Sequence, residues 1–210
     1  MTEALPAIRP PQQQRSRASL ERVLEAGAKL LEEQGYEGFT LAEVSKRSKV
    51  SMGSIYARVG SKQGLIYAIH SRLMEQMRGE LERFEPVRWE GVPTTELVRG
   101  VIRAFADSMR AHGGLLGVIM HRGAVDATIA ARGSEALKDV SDRFAALLLE
   151  RRDEFGHPDP GLAVDVVFRL LFGALGRQLM YGPTFESRRA LDWDTLVAET
   201  AEAAVGYLRL

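Results

Sequence analysis

Three helix-start signals crowd into residues 40–61, and their spacing limits what the chain can build there. Thr40-Leu41-Ala42-Glu43 has the Ser/Thr-x-x-Glu form, in which hydroxyl and carboxylate satisfy amides that a helix start leaves orphaned. Ser51 is a second N-cap and Ser61 a third, with Gly60 breaking the chain just before it. The first helix therefore starts at Leu41 and ends near Ser48, and Lys49 and Val50 leave only a tight connection. The second runs from Ser51 through Arg58. Before them, Leu20, Val23, Leu24, Gly27, Ala28 and Leu31 recur at three- and four-residue steps, which predicts a helix from about Arg17 to Glu33 stopped by Gly35. After them, Leu65, Ile66, Ile69, Leu73, Met77 and Leu81 mark a longer helix from Ser61 to about Phe84.

The rest of the chain also reads helical. Pro86, Gly91 and Pro93 punctuate a loop that carries Trp89. A helix starting at Thr94 or Thr95 holds Leu97, Val98, Val101, Ile102, Phe105 and Met109, and Gly113-Gly114 closes it. Further helices are predicted from Leu115 to about Val125 and from Ser134 to Phe155. Another opens with Asp159 as N-cap and Pro160 at its first position, reaching Tyr181, and a last one runs from Asp192 to Leu208. No segment alternates as a strand between hairpin turns, so the expected class is all-α with about nine helices. Residues 1–15, with Pro6, Pro10, Pro11 and a glutamine run, are expected to form a flexible arm.

Several chemistries lack a basis. With no cysteine there is no disulfide, thiolate metal site or cysteine nucleophile. His70, His112, His121 and His157 show no ligand spacing, so no metal site is expected. Gly60-Ser61-Lys62 lacks the full phosphate-loop pattern, and no Gly-x-Ser-x-Gly elbow occurs. No enzyme and no cofactor is expected. The longest run free of polar residues, Gly113 to Met120, is far short of the roughly 20 residues that span a bilayer. The first residues lack the apolar stretch of a signal peptide, which leads to an expected cytoplasmic location and no membrane partner.

Charge narrows the remaining possibilities. The 28 basic and 28 acidic residues cancel overall. Residues 1–80 nevertheless carry 12 basic against 9 acidic groups, and residues 81–210 carry 16 against 19. Between Leu41 and Lys62, Lys46, Arg47, Lys49, Arg58 and Lys62 face only Glu43. That window fits an anionic partner, with a solvated helix face as the plain alternative.

Two short helices joined by a tight turn and packed behind a third describe a helix-turn-helix unit, whose second helix enters the DNA major groove. In the segment 51–58, Met52 and Ile55 suit the inward face, while Gly53, Ser54, Ala57 and Arg58 leave a small polar outward face. Serine hydroxyls reach phosphates or bases, and Arg58 suits a phosphate or a guanine edge. Thr40 and Lys62, at helix starts, would add phosphate contacts. Residues 40–59, TLAEVSKRSKVSMGSIYARV, followed by Gly60-Ser61-Lys62-Gln63-Gly64-Leu65, resemble the tetracycline-repressor (TetR) family of bacterial regulators over about residues 17–77. The resemblance implies that residues 51–58 enter the groove and that Tyr56 and Lys62 touch phosphates. It sets the DNA-binding residues as Thr40, Ser51, Gly53, Ser54, Tyr56, Ala57, Arg58 and Lys62. The plain alternatives are a core aromatic at Tyr56 and a solvated cation at Lys62. Arg58 and Val59 depart from the commonest family pattern.

The same resemblance implies domains at 16–84, helix-turn-helix with its connecting helix, and 85–210, effector binding and dimerisation. The partners would be a double-stranded DNA operator, an unknown small-molecule effector and a second copy of the chain. Pocket candidates are Phe105, Met109, Met120, His121, Phe144, Phe168, Phe172, Arg177, Met180 and Tyr181, with His112, His121 and Arg177 as polar anchors; for each, plain core is the alternative. Gly173, Ala174, Gly176, Ala201, Ala204 and Leu208, on the last two helices, are the candidates for a close-packed dimer interface, and packing within the chain is the alternative.

Overall fold

The computed structural model describes residues 12–210. The arm expected at residues 1–15 lies outside it apart from residues 12–15, which open the first helix, and Leu81 lies outside the described side chains. Among the described residues the chain is all-helical, in two compact units, residues 1–69 and 70–210.

The first unit holds α1 (Gln12–Gly38), α2 (Leu41–Ser48), α3 (Met52–Val59) and the start of α4 (Lys62–Gly79). Gly35, expected to end α1, bends it instead, at φ 65° and ψ −171°, a conformation open in practice only to glycine. The short helices start where the hydroxyls dictate. Thr40 accepts from the Glu43 amide at 3.2 Å, Ser51 from Ser54 at 3.3 Å and Ser61 from Gly64 at 3.0 Å. Lys49 closes α2 in the left-handed region at φ 56°, and the Ser45 hydroxyl clamps the turn by donating to the Val50 carbonyl at 2.7 Å. Val23, Leu30, Leu31, Phe39, Val44, Ile55, Leu65 and Ile69 are buried as the core.

In the second unit α4 stops at Gly79, earlier than the expected Phe84, because the chain tightens into a 3-10 turn at Glu80–Phe84; another follows at Pro86–Trp89. Trp89 is anchored, its indole N–H donating to the Arg83 carbonyl at 3.1 Å. Its ring fills the notch at Gly100, where a Cβ would come within 2.3 Å of the indole. Then follow α5 (Thr94–Ala111), α6 (Gly113–Gly123), α7 (Ala127–Leu149), α8 (Pro160–Tyr181) and α9 (Trp193–Leu208). α7 starts seven residues before the expected Ser134, because Asp126 accepts from the amides of Thr128 and Ile129 at 3.0 and 3.2 Å and Ile129 is buried. It also ends earlier, at Leu149, with a 3-10 turn at Arg152–Glu154. One face of α5 is wholly apolar and buried, Leu97, Val101, Ile102, Phe105 and Met109 among its residues. On its other side Arg99 grips Glu202 of α9 through two bonds of 2.6 and 3.0 Å, and Arg110 reaches Asp194 at 3.1 Å. These exposed pairs align α5 with α9 more than they stabilise it.

Candidate functional site

The polar surface of the first unit is built by α3 and the helix starts on either side of it. Ile55 turns into the core, while Ser51, Gly53, Ser54, Tyr56, Ala57 and Arg58 face solvent. Tyr56 is 49% exposed, and its hydroxyl has no hydrogen-bond partner among the described residues. A Cβ at Gly53 would meet nothing within 4 Å, so packing does not demand a glycine there. At Gly64 a Cβ would lie 1.9 Å from the Val59 carbonyl oxygen, so that glycine is what lets α4 begin against the end of α3.

The basic window is less open than its sequence suggests. Arg47 pairs with Glu33 at 2.5 Å and Glu43 at 3.1 Å, and these hydrogen bonds raise its pKa above the usual guanidinium value. Arg58 donates to Ser19 at 2.9 Å and Ser16 at 3.2 Å, both on α1. Lys62 is half-buried; its ammonium donates to the Tyr36 carbonyl at 3.0 Å and sits 4.4 Å from the centre of the Tyr36 ring. A cation at a helix start opposes the macrodipole, and here a carbonyl and an aromatic face within the chain compensate it. Lys46 and Lys49 remain exposed. Thr40 is exposed at its cap position.

The second unit encloses a cavity of about 370 Å³. Of the pocket candidates, Phe105, Met109, Met120, Phe172 and Met180 line it. Phe144 and Phe168 instead pack against each other in the core beside it, their rings tilted at 57° with centres 5.3 Å apart. The three polar anchors are engaged elsewhere. His112 bonds Glu80 at 3.0 Å, His121 is exposed and meets the Met180 carbonyl at 3.1 Å, and Arg177 pairs with Glu186. Burial pulls the Glu80 carboxyl up, but hydrogen bonds with Ser108 and His112 outweigh it and hold the group below the usual carboxylate range. Tyr181 is exposed and stacks on Phe185 at 4.3 Å.

The cavity has a polar group that sequence reasoning passed over. His70 lines it, is 1% exposed, and neither ring nitrogen has a hydrogen-bond partner among the described residues. Burial, helped by the nearby Arg132 charge and opposed by Asp126, pushes its pKa below the usual histidine value. No group of His, Asp or Glu among the described residues is arranged to hold a metal ion.

The small residues proposed for an interface divide. Gly176 is buried, and a Cβ there would meet the Met120 methyl at 2.7 Å; Ala201, Ala204 and Leu208 are buried within the same chain. Packing inside the chain uses those four. Gly173 and Ala174 are half-exposed on α8. Gly173 falls in line with Leu162, Val166 and Leu170, and Leu162 and Leu170 are 53% and 63% exposed.

Residues 23–69 match the family described as bacterial regulatory proteins, tetR family. No curated protein matches the chain. Solved structures do. GusR of Salmonella enterica is 21% identical, with 97% of this chain and 99% of that one covered and a TM-score of 0.68. A TetR transcription regulator from Haloarcula marismortui is 15% identical, covering 92% and 97%, at a TM-score of 0.71. FadR, a fatty acid degradation regulator from Bacillus halodurans, is 18% identical, covering 89% and 97%, at 0.64. No helix among the described residues is long and apolar enough to cross a membrane. Residues 23–69 thus match the DNA-binding segment of the tetR family of bacterial regulatory proteins, and the chain shares its fold along nearly its whole length with solved TetR-family structures.

Proposed function

We propose that the chain is a transcriptional repressor that binds a near-palindromic operator as a homodimer and leaves it when a small molecule occupies the cavity of the second unit. The observation that carries the DNA reading is the bare outward face of α3, with Gly53, Ser54 and Ala57 beside the unpartnered Tyr56 hydroxyl, between two hydroxyl-capped helix starts. Small side chains let a helix seat closely in the major groove, and Tyr56, Thr40 and the exposed Lys46 and Lys49 suit the flanking phosphates. Arg58 reaches DNA by exchanging two neutral serine acceptors for an anionic phosphate or a bidentate guanine edge, to which the guanidinium bonds more strongly. For the dimer, the outer stripe Leu162, Val166, Leu170 and Gly173 replaces the buried small residues as the contact face. A two-fold pair sets its recognition helices about 34–36 Å apart or farther. An effector that binds the non-operator conformation better by about 1–3 kcal/mol suffices to release DNA.

Selection of genomic fragments by the purified chain at two salt concentrations, with Tyr56→Ala as control, tests this reading. Recovery of a palindromic site, weakened by salt and lost in the variant, is the expected result. Recovery of nothing above background from folded, dimeric, ligand-free protein overturns it and leaves a helical small-molecule binding module that has lost DNA.

A further inference from the structure

The cavity in the second unit has a lopsided lining. Five of the protein's seven methionines, Met74, Met77, Met109, Met120 and Met180, line it. Thioether side chains are unbranched and polarizable, and they reshape around apolar bodies of different outline. The polar side chains on the wall are His70, Arg78 and Ser134. Arg78 is more than half exposed and already bonded to Asp139 at 3.3 Å, so its charge is spent at the surface. His70 is the opposite case, buried with both nitrogens unmatched. A buried polar group without a partner costs roughly 1–3 kcal/mol, so a ligand that supplies the partner recovers that cost on binding.

We propose that the cavity takes a predominantly apolar, uncharged molecule bearing one hydroxyl, and that His70 is the residue that binds that hydroxyl; this rests on reading the cavity as an effector site. A neutral imidazole has one N–H donor and one lone-pair acceptor, and a hydroxyl matches either. The volume of about 370 Å³ lies in the range of small-molecule sites, roughly 300–1,000 Å³. A carboxylate is disfavoured because burying an unpaired anion among methionine and leucine side chains is costly and the wall's guanidinium is already paired. The charged groups facing His70 are Arg132, which donates to Ser71 at 3.2 Å, and Asp126, which caps α7. Neither lines the cavity.

The test uses matched probes that differ only in the head: naphthalene, 2-naphthol and 2-naphthoate, with octane, 1-octanol and octanoate as a second body. Calorimetric titration of the full-length chain should show, for at least one body, the alcohol binding about tenfold tighter than both the hydrocarbon and the carboxylate. In His70→Phe that advantage should vanish while hydrocarbon binding persists. Equal binding of alcohol and hydrocarbon overturns the role of His70, preference for the carboxylate overturns the ligand class, and failure of both alcohols to bind overturns the proposal outright. The wild-type comparison decides even if the variant does not fold. A parallel measurement on a selected operator separates the two readings. Alcohol preference without release of DNA leaves the ligand class standing and overturns the effector role, and DNA bound by the ligand-free chain stands whatever the probes do.

Discussion

The outer face of α3 and the inner wall around His70 differ in how their polar groups are satisfied when nothing is bound. On the outside, Ser51, Thr40, Arg58 and Lys62 all have partners within the chain, and each of those partners is a neutral hydroxyl, amide, carbonyl or ring. Inside, His70 is buried on the wall of a mostly apolar cavity, near the charges of Arg132 and Asp126, and has no hydrogen-bond partner among the described residues. The exterior is stable as it stands and gives up weak bonds to gain strong ones; the interior holds a demand that its own chain does not meet. A nucleic acid then competes with internal partners, whereas a cavity ligand competes with none of the described ones.

The largest effect that would break this contrast lies in two glycines, Gly53 within α3 and Gly64 in the first turn of α4. Gly64→Ala drives a methyl against the Val59 backbone oxygen, and should destabilise the first unit by about 3 kcal/mol or more, read as an early thermal transition with loss of DNA binding. Gly53→Ala should instead raise helix stability by up to about 1 kcal/mol while weakening DNA binding, since the space it fills is outside the fold. Should the Gly53 variant bind operator as well as the wild type, α3 does not seat closely in the groove. Next in size is Lys62→Ala. It removes a hydrogen bond and a cation–π contact and should cost about 1 kcal/mol of stability. If Lys62 also serves a phosphate, the salt dependence of DNA binding flattens by about one unit of slope; an unchanged slope confines the residue to its structural role.

The smallest effect concerns the interior. The unfolded chain protonates His70 near pH 6.5, whereas in the folded chain burial holds its pKa lower. Acid therefore favours the unfolded state, and stability of the second unit should decline as pH falls through about 6.5. His70→Leu should make that decline shallower. Identical pH profiles of wild type and variant would show that the histidine is not isolated from solvent.

How far the sequence could be read follows the same line. Thr40, Ser51, Ser61, Asp159 and Asp192 are caps whose partners lie two or three residues away, and short-range chemistry of that kind is visible in a string of letters. Asp126 acts in the same way but is harder to read, because Ile129 is the one large apolar residue before Gly133 and no apolar repeat marks the helix that follows. The charge of Lys62 was legible and its partner was not, since the Tyr36 carbonyl reaches it only through the bend at Gly35. His70 follows Ile69 in a helix and reads as one polar letter in an apolar stripe; four other helices, α5 to α8, decide what surrounds it. Small residues announced close packing at Gly176 and Ala204 without naming the neighbour, which is the chain itself.

The seat of Trp89 over Gly100 has an optical consequence. The protein's two tryptophans, Trp89 and Trp193, both belong to the second unit. Indole emission therefore originates wholly in that unit, while far-ultraviolet circular dichroism sums over both. Because Trp89 is wedged against α5 and bonded at its N–H, its emission colour will follow the packing of that helix. One untagged sample, followed by fluorescence and dichroism together, can separate the melting of the second unit from that of the first.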